Sequence, residues 1–251
     1  KDETDQSVFA YLGIMITKSK DDKGKPIITF SQPGLIDKIV TKIKKGGVPI
    51  KDCKKKTEVT PASENPLHAD KDGEPFTEEE FGFKYASAIG MLMYATNSRP
   101  EIQYAVHAAA RFTHSPKASH GRAVQRIARY LLHTRDKGII IRPTQDVVEF
   151  NCYVDSDFAG LFGHEDSQDP TSVKSRTGYV FTLGDTPVHF VSKLQQTVSL
   201  STVEAEYVAL SQALREFLPM RQTAEEICKT FKVNTGKNQR IKSTVFEDNN
   251  G

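Results

Sequence analysis

Residues 199–217 read SLSTVEAEYVALSQALREF, and this stretch decides the fold of the second half of the chain. Ser201 followed by Glu204 forms a capping box, which predicts the first turn of a helix. Apolar residues then recur at helical spacing and form one stripe, made of Val203, Tyr207, Leu210, Leu214 and Phe217. The stretch therefore predicts an amphipathic helix whose apolar side packs against another element.

Strand-like segments lie on both sides of this helix. The β-prone runs before it are VVEFNCYVD (147–155), SRTGYVFTLG (175–184) and PVHFVSK (187–193), and STVF (243–246) follows it. The order β-β-β-α-β predicts a three-stranded meander, a crossover and a fourth strand. This arrangement is a mixed sheet with a helix packed on it.

The first half of the chain predicts fewer strands and more helices. Residues 9–32 predict two strands joined by a polar loop at 18–25. Helices are predicted from Leu35 to about Gly46, from Phe81 to about Thr96, and from an N-cap at Ser115 to a stop at Gly138. Residues 51–77, rich in Pro, Asp, Glu and Lys, predict an extended connection.

One face of the third predicted helix carries a row of positive charge. Arg122, Arg126, Arg129 and His133 fall at i, i+4, i+7 and i+11. Such a row suits contact with a phosphate backbone, but charged helix faces are commonly just solvated. Both interpretations stay open at the level of sequence.

Three carboxylates are candidates for metal binding. Asp155 ends a predicted strand and Asp248 directly follows another, so the two converge if the strands are neighbours. Glu206 lies at the margin of the apolar stripe, whereas Glu204 has a sufficient role as the capping residue. Clustered carboxylates suit hard divalent cations, but on residue chemistry alone turn roles are the better explanation of Asp155 and Asp248.

Composition excludes several classes of protein. The 251 residues are 37% hydrophobic, enough for packed cores, and the net charge of +2 does not itself indicate a polyanionic partner. No run approaches the roughly eighteen apolar residues of a membrane helix, and the first twenty residues lack a signal-peptide pattern. Three well-separated cysteines indicate neither a zinc site nor disulfides. We expect a soluble, intracellular protein without a membrane partner.

Several segments together resemble the polyprotein of copia-type long-terminal-repeat retrotransposons. YLGIMI (11–16) and ITFSQPGLIDKIV (28–40) resemble the end of the reverse-transcriptase palm, and residues 85–112 and 122–138 resemble its thumb and connecting helices. YVDSDFAG, SRTGYVFTLG, VSKLQQTVSLSTVEAEYVALSQA and FEDNN resemble the ribonuclease H domain, in the family's order and approximate spacing.

The resemblance implies an α/β (α+β) chain with four regions. These are the palm end and first thumb helix (1–50), an extended connection (51–77), a helical thumb and connection region (78–144), and a ribonuclease H-like domain (145–251). The family's paired-aspartate polymerase motif lies upstream of the matched part. Its ribonuclease H also continues past the third carboxylate, so the resemblance implies an incomplete domain of weak or no activity.

The resemblance also implies the chemistry. Asp155, Glu206 and Asp248 match the family's catalytic, metal-binding carboxylates, with two Mg²⁺ ions, or Mn²⁺ as a substitute, cutting the RNA strand of an RNA–DNA hybrid. Implied partners are the hybrid and other parts of the polyprotein, and the implied location is the cytoplasm, in a virus-like particle, or the nucleus. The alternatives are a non-catalytic nucleic-acid-binding or assembly module and an inactive relic of an inserted element.

Overall fold

The computed structural model describes residues 8–44, 60–142, 148–166, 168–233 and 241–248. The predicted helix end near Gly46, residues 51–59 of the predicted connection and Cys53 lie outside these ranges. No helix within them is long and apolar enough to cross a membrane.

The chain divides into two compact units. The first comprises residues 1–17, 29–139 and 163–169, and the second comprises residues 18–28, 140–162 and 170–251. Residues 163–169 therefore belong to the first unit, although the residues on both sides of them belong to the second.

The first sheet has the strand order β1-β2-β3-β4. Its strands are β1 (Val8–Tyr11), β2 (Ile14–Lys20), β3 (Pro26–Ser31) and β4 (Ile139–Ile141). The region 9–32 thus holds a third strand beyond the two predicted, because Leu12 and Gly13 adopt φ angles of 49° and 75° and turn the chain. The hydroxyl of Tyr94 donates a hydrogen bond to the carbonyl of Leu12 at this turn.

Five helices form the core of the first unit. They are α1 (Pro33–Lys44), α2 (Glu78–Phe81), α3 (Tyr85–Ala95), α4 (Gln103–Ala110), which follows a 3₁₀ turn at Pro100–Ile102, and α5 (Ala118–His133). These helices pack together through fully buried side chains such as Ile36, Leu92, Val106 and Ile127. The predicted helix from Phe81 to Thr96 was wrong at its start, because Gly82 ends α2 with a φ of 68°.

The predicted N-cap at Ser115 was also wrong. Pro116 is extended rather than helical, since its carbonyl accepts a hydrogen bond of 3.0 Å from the N–H of Phe76. Lys117 is the residue that precedes the helix, and its N–H donates to Nδ1 of His120 at 2.9 Å. A contact with residues about forty positions earlier therefore overrides the local capping signal.

Residues 163–169 contribute a buried ion pair to the first unit. The side chain of Glu165 is 1% exposed and accepts hydrogen bonds from Arg111 at 3.0 Å and from the N–H of Ala69 at 2.9 Å. Since a buried carboxylate needs such partners, Glu165 fixes the position of this segment within the unit.

The second unit contains the mixed sheet that the sequence predicts. Its strand order is β7-β6-β5-β8, in which β5, β6 and β7 form an antiparallel meander and β8 pairs with β5 in parallel. The elements are β5 (Phe150–Asp157), β6 (Arg176–Leu183), β7 (Thr186–Leu194), α6 (Thr202–Thr230) and β8 (Val245–Phe246), with a 3₁₀ turn at Pro170–Val173. The predicted order β-β-β-α-β is confirmed.

Helix α6 packs on this sheet through small residues. Ala205, Ala209 and Ala213 are fully buried and Phe217 nearly so, whereas Tyr207 of the predicted stripe is 68% exposed. The alanines allow the helix backbone to approach the strands closely, which the larger side chains of the predicted stripe would prevent. The predicted stripe was therefore displaced by about half a turn over its first part, at Val203 and Tyr207, whereas Leu210, Leu214 and Phe217 were assigned correctly to the side that packs on the core.

Candidate metal centre

Asp155 lies within β5, two residues before the strand ends. Cys152 and Val154 are buried against α6, while Tyr153 and Asp155 are exposed. Because side chains alternate along a strand, Asp155 does not share the buried positions of Cys152 and Val154. The strand holds this carboxylate in place through its pairing with β6.

Asp248 follows the neighbouring strand. Cys152 pairs with Val245 and Tyr153 with Phe246, so the same offset carries Asp155 to the level of Asp248. The N–H of Thr244 donates to Oδ1 of Asn151 at 3.0 Å, which helps fix the register of β8 on β5. The sequence predicts that Asp155 and Asp248 converge if the two strands are neighbours, and the structure meets this condition.

Glu206 comes from the second turn of α6. Glu204 occupies the capping position, since its N–H donates to Oγ of Ser201 at 3.1 Å and its Oε2 accepts from the N–H of Leu200 at 2.7 Å. The assignment of capping to Glu204 is therefore confirmed. Oε2 of Glu206 is buried and has no hydrogen-bond partner among the described residues.

The three carboxylates meet at one end of the second sheet. Asp155, Glu206 and Asp248 each offer one oxygen, and these oxygens lie within 4.8 Å of one another. Burial raises the pKa of Glu206, and the charges of Asp155 and Glu247 raise it further, against the opposing effect of Ser156. A cluster of oxygen donors in which one buried oxygen has no partner fits a hard divalent cation. The triad could hold a metal ion.

Sequence reasoning missed Gly178, which pairs directly with Asp155 in β6. Directly opposed residues present their side chains on the same face, so a glycine here leaves space beside the carboxylate. A glycine inside an otherwise apolar strand is a signal of close approach, and this signal was present in SRTGYVF.

The chain resembles known proteins of transposable elements. It is 36% identical over 158 residues to the retrovirus-related Pol polyprotein from transposon TNT 1-94 of Nicotiana tabacum, covering 61% of this chain and 11% of that protein. It is also 36% identical over 133 residues to the secreted RxLR effector protein 161 of Plasmopara viticola, covering 53% of this chain and 87% of that relative. The chain is thus similar to segments of retrovirus-related Pol polyproteins from transposons.

A second Pol polyprotein, that of transposon RE1 of Arabidopsis thaliana, is 34% identical over 133 residues, covering 53% of this chain and 8% of the relative. The chain thus spans about a tenth of the length of these two Pol relatives. No family model matches it, and no solved structure matches it with significance.

The basic row of this chain lies on α5, and the structure brings three of its members together. Arg122, Arg126 and Arg129 line one cavity in the first unit. His133, the last residue of α5, is exposed and does not line that cavity. The loop 61–67 covers this part of α5, and nothing in the local helix pattern indicated it.

Proposed function

We propose that this chain comprises the end of the reverse transcriptase and the start of the ribonuclease H of a copia-type retrotransposon. Its activity is metal-dependent endonucleolytic hydrolysis of the RNA strand of an RNA–DNA hybrid. The observation that carries the proposal is the convergence of Asp155, Glu206 and Asp248, with an unpartnered buried oxygen on Glu206.

Each carboxylate has a distinct positioning role. Asp155 stands on β5 and Asp248 follows the paired strand β8 by two residues, so the pairing of the two strands largely sets their separation. Glu206 reaches the same point from α6 and places a partly desolvated oxygen between helix and sheet. Asp155, Glu206 and Asp248 would hold two Mg²⁺ ions, or Mn²⁺ in their place, which would activate a water and stabilise the leaving oxygen.

The surroundings of the triad suit an extended substrate. Asp155 is exposed, and Gly178 opposite it adds no side chain that would obstruct a strand of nucleic acid. Recognition of a hybrid relies on backbone shape and 2′-hydroxyl groups, so the cleavage is independent of base sequence. In this proposal the arginines of α5 contribute nucleic-acid contacts in the first unit.

The deciding experiment measures Mg²⁺-dependent cleavage of a hybrid with labelled RNA by the chain, by Asp155→Asn and by Glu206→Gln. We expect slow cutting of the RNA strand alone, reduced about 100-fold by either substitution. Glu226→Gln, an exposed glutamate on the same helix, is the matched control and keeps full activity. Mn²⁺ binding is measured by electron paramagnetic resonance, and we expect Asp155→Asn and Glu206→Gln to weaken it and Glu226→Gln to leave it unchanged.

A second candidate function is a non-catalytic nucleic-acid-binding module. The observation in its favour is the gathering of Arg122, Arg126 and Arg129 around one cavity. A folded chain that binds the hybrid in a salt-dependent manner, but never cuts it with Mg²⁺ or Mn²⁺, would establish this candidate instead of the nuclease.

A further inference from the structure

Gln195 is a buried polar residue beside the metal centre. It follows β7 at the start of the turn to α6, and its side chain is only 1% exposed. Its Nε2 donates to the carbonyl oxygen of Ala205 at 2.9 Å and to Oγ1 of Thr177 at 3.2 Å, and its Oε1 accepts from Oγ of Ser199 at 3.0 Å. Since a buried amide is favourable only when its polar atoms are paired, these bonds hold the side chain in one orientation.

The bond to Ala205 acts on the next residue, Glu206. The carbonyl of Ala205 and the N–H of Glu206 belong to one planar peptide group, so a donor that holds the carbonyl also fixes the plane of that group. The Cα of Glu206 lies in the same plane. Glu206 therefore cannot shift relative to the turn without the loss of a buried hydrogen bond.

The bond to Thr177 connects the same amide to the sheet. Thr177 lies in β6, is fully buried and pairs with Ser156 of β5. Ser156 directly follows Asp155 in the chain and opposes the rise in the pKa of Glu206. One amide thus joins the peptide group of Glu206 to the strand that pairs with β5 beside Asp155.

The main chain of Gln195 is also held by its surroundings. Its N–H donates to the carbonyl of Ser175 at 2.8 Å, one residue before β6, and Ser175 is itself fully buried. The amide is therefore presented from a point fixed to β6. Because a metal centre needs its ligands held close to their productive geometry, a rigid support of this kind suits the part of α6 that carries Glu206.

We propose that Gln195 is a positioning residue of the metal centre, whose amide sets the place of Glu206 relative to Asp155. The inference rests on the proposed function, because it concerns the same three carboxylates, and it adds a residue that contributes no ligand atom itself. Residues that orient metal ligands typically change metal affinity by about 10–100-fold when they are substituted. Methionine has a similar length but no hydrogen-bond donor, so Gln195→Met removes the bonds and keeps the space filled.

The test measures Mn²⁺ affinity of the intact chain and its variants by electron paramagnetic resonance, beside cleavage of the hybrid. We expect Gln195→Met to lower the Mn²⁺ affinity of the folded chain by about 10–100-fold and to slow cleavage in step. Thr177→Val and Ser199→Ala each remove one bond and leave the bond to Ala205, so each should weaken Mn²⁺ binding by a smaller factor. If Gln195→Met does not fold, the inference requires that both of these single-bond variants weaken Mn²⁺ binding.

Two controls separate positioning from a loss of stability. Phe217→Leu removes core packing about three turns further along α6, and Gln125→Met replaces a buried glutamine of the first unit. Both should keep the native Mn²⁺ affinity, although Phe217→Leu lowers the free energy of unfolding measured in EDTA. Native affinity in Gln195→Met, or an equal loss in Phe217→Leu, would overturn the inference and leave the proposed function standing. A native chain that neither binds Mn²⁺ nor cuts the hybrid would contradict the proposed function itself, and the inference with it.

Discussion

Glu206 and Asp155 share one patch of negative charge although they stand on a helix and a strand. Burial raises the pKa of Glu206, and the carboxylate of Asp155 raises it further. The folded chain without metal therefore carries a carboxyl group that ionises less readily than an exposed glutamate. A bound divalent cation offsets the free-energy cost of ionising Glu206. Metal binding and the stability of the folded chain therefore both depend on pH.

Stability without divalent metal is expected to fall as pH rises above about 4.5, the ordinary pKa of the group. Unfolded Glu206 loses its proton there, whereas folded Glu206 retains it to higher pH. The rise in pH therefore stabilises the unfolded state relative to the folded one. Glu206→Gln removes this contribution and flattens the pH dependence. Denaturant unfolding at a series of pH values in EDTA measures the slope, and Glu226→Gln should leave it as in the native chain.

Mg²⁺ is expected to raise the melting temperature of the native chain, since a ligand that binds only the folded state stabilises it by mass action. Glu206→Gln and Asp248→Asn should abolish most of the rise. Melting temperatures measured without Mg²⁺ and at Mg²⁺ concentrations raised in tenfold steps check this. An equal rise in the native chain and in both variants would show that Mg²⁺ binds elsewhere.

Glu165→Gln is expected to lower the free energy of unfolding of the first unit by about 2–4 kcal/mol. The substitution leaves the guanidinium of Arg111, 18% exposed, beside a neutral amide in a largely buried position. Glu64→Gln, on an exposed loop of the same unit, should change stability by less than about 0.5 kcal/mol. Similar effects for the two variants would show that the buried pair contributes nothing specific.

Alanine substitutions at two helical glycines are expected to change the free energy of unfolding in opposite directions. A Cβ on Gly121 of α5 would lie 2.6 Å from Cε1 of Phe81 and 2.8 Å from Cδ2 of Phe76, so Gly121→Ala should destabilise by about 1–3 kcal/mol. A Cβ on Gly90 of α3 meets nothing within 4 Å, so Gly90→Ala should stabilise by about 0.5–1 kcal/mol. Equilibrium unfolding of the two variants compares the signs directly.

Cys152 and Cys228 are expected to react slowly with thiol reagents. Burial raises the pKa of Cys152 to about 11 and raises that of Cys228 as well. Since the thiolate is the reactive form, Cys152 at pH 8 should react roughly 100-fold more slowly than in the denatured chain. Iodoacetamide labelling followed by mass spectrometry of each cysteine measures the rates, and rapid labelling of Cys152 in the folded chain would contradict this.

Local patterns were sufficient for the elements of the second unit. The capping box at Ser201 and Glu204 placed the start of α6, and alternating β-prone runs placed the strands around it. Glu206 could be separated from Glu204 because only one of them had a structural role in the helix. The convergence of Asp155 with Asp248 could be predicted only on the condition that their strands are neighbours, because the order of strands is a property of the whole sheet.

The failures arose where distant contacts outweigh local preference. Pro116 pairs with Phe76 and so cannot begin α5, and the alanine face of α6 is selected by the closeness of the sheet rather than by hydrophobicity. The cavity beside the arginines depends on a loop that covers α5 from far away in sequence. No window of local sequence contains this information.

The parallel pairing of β8 with β5 also determines when the metal centre can form. During synthesis the meander and most of α6 emerge from the ribosome before residue 248 exists, and long-range parallel pairing is among the slower steps of folding. The third carboxylate therefore joins the other two only after α6 and β8 have both been made. A nascent chain that ends before β8 carries no complete metal centre, so the chemistry proposed for this site is postponed until translation has passed β8.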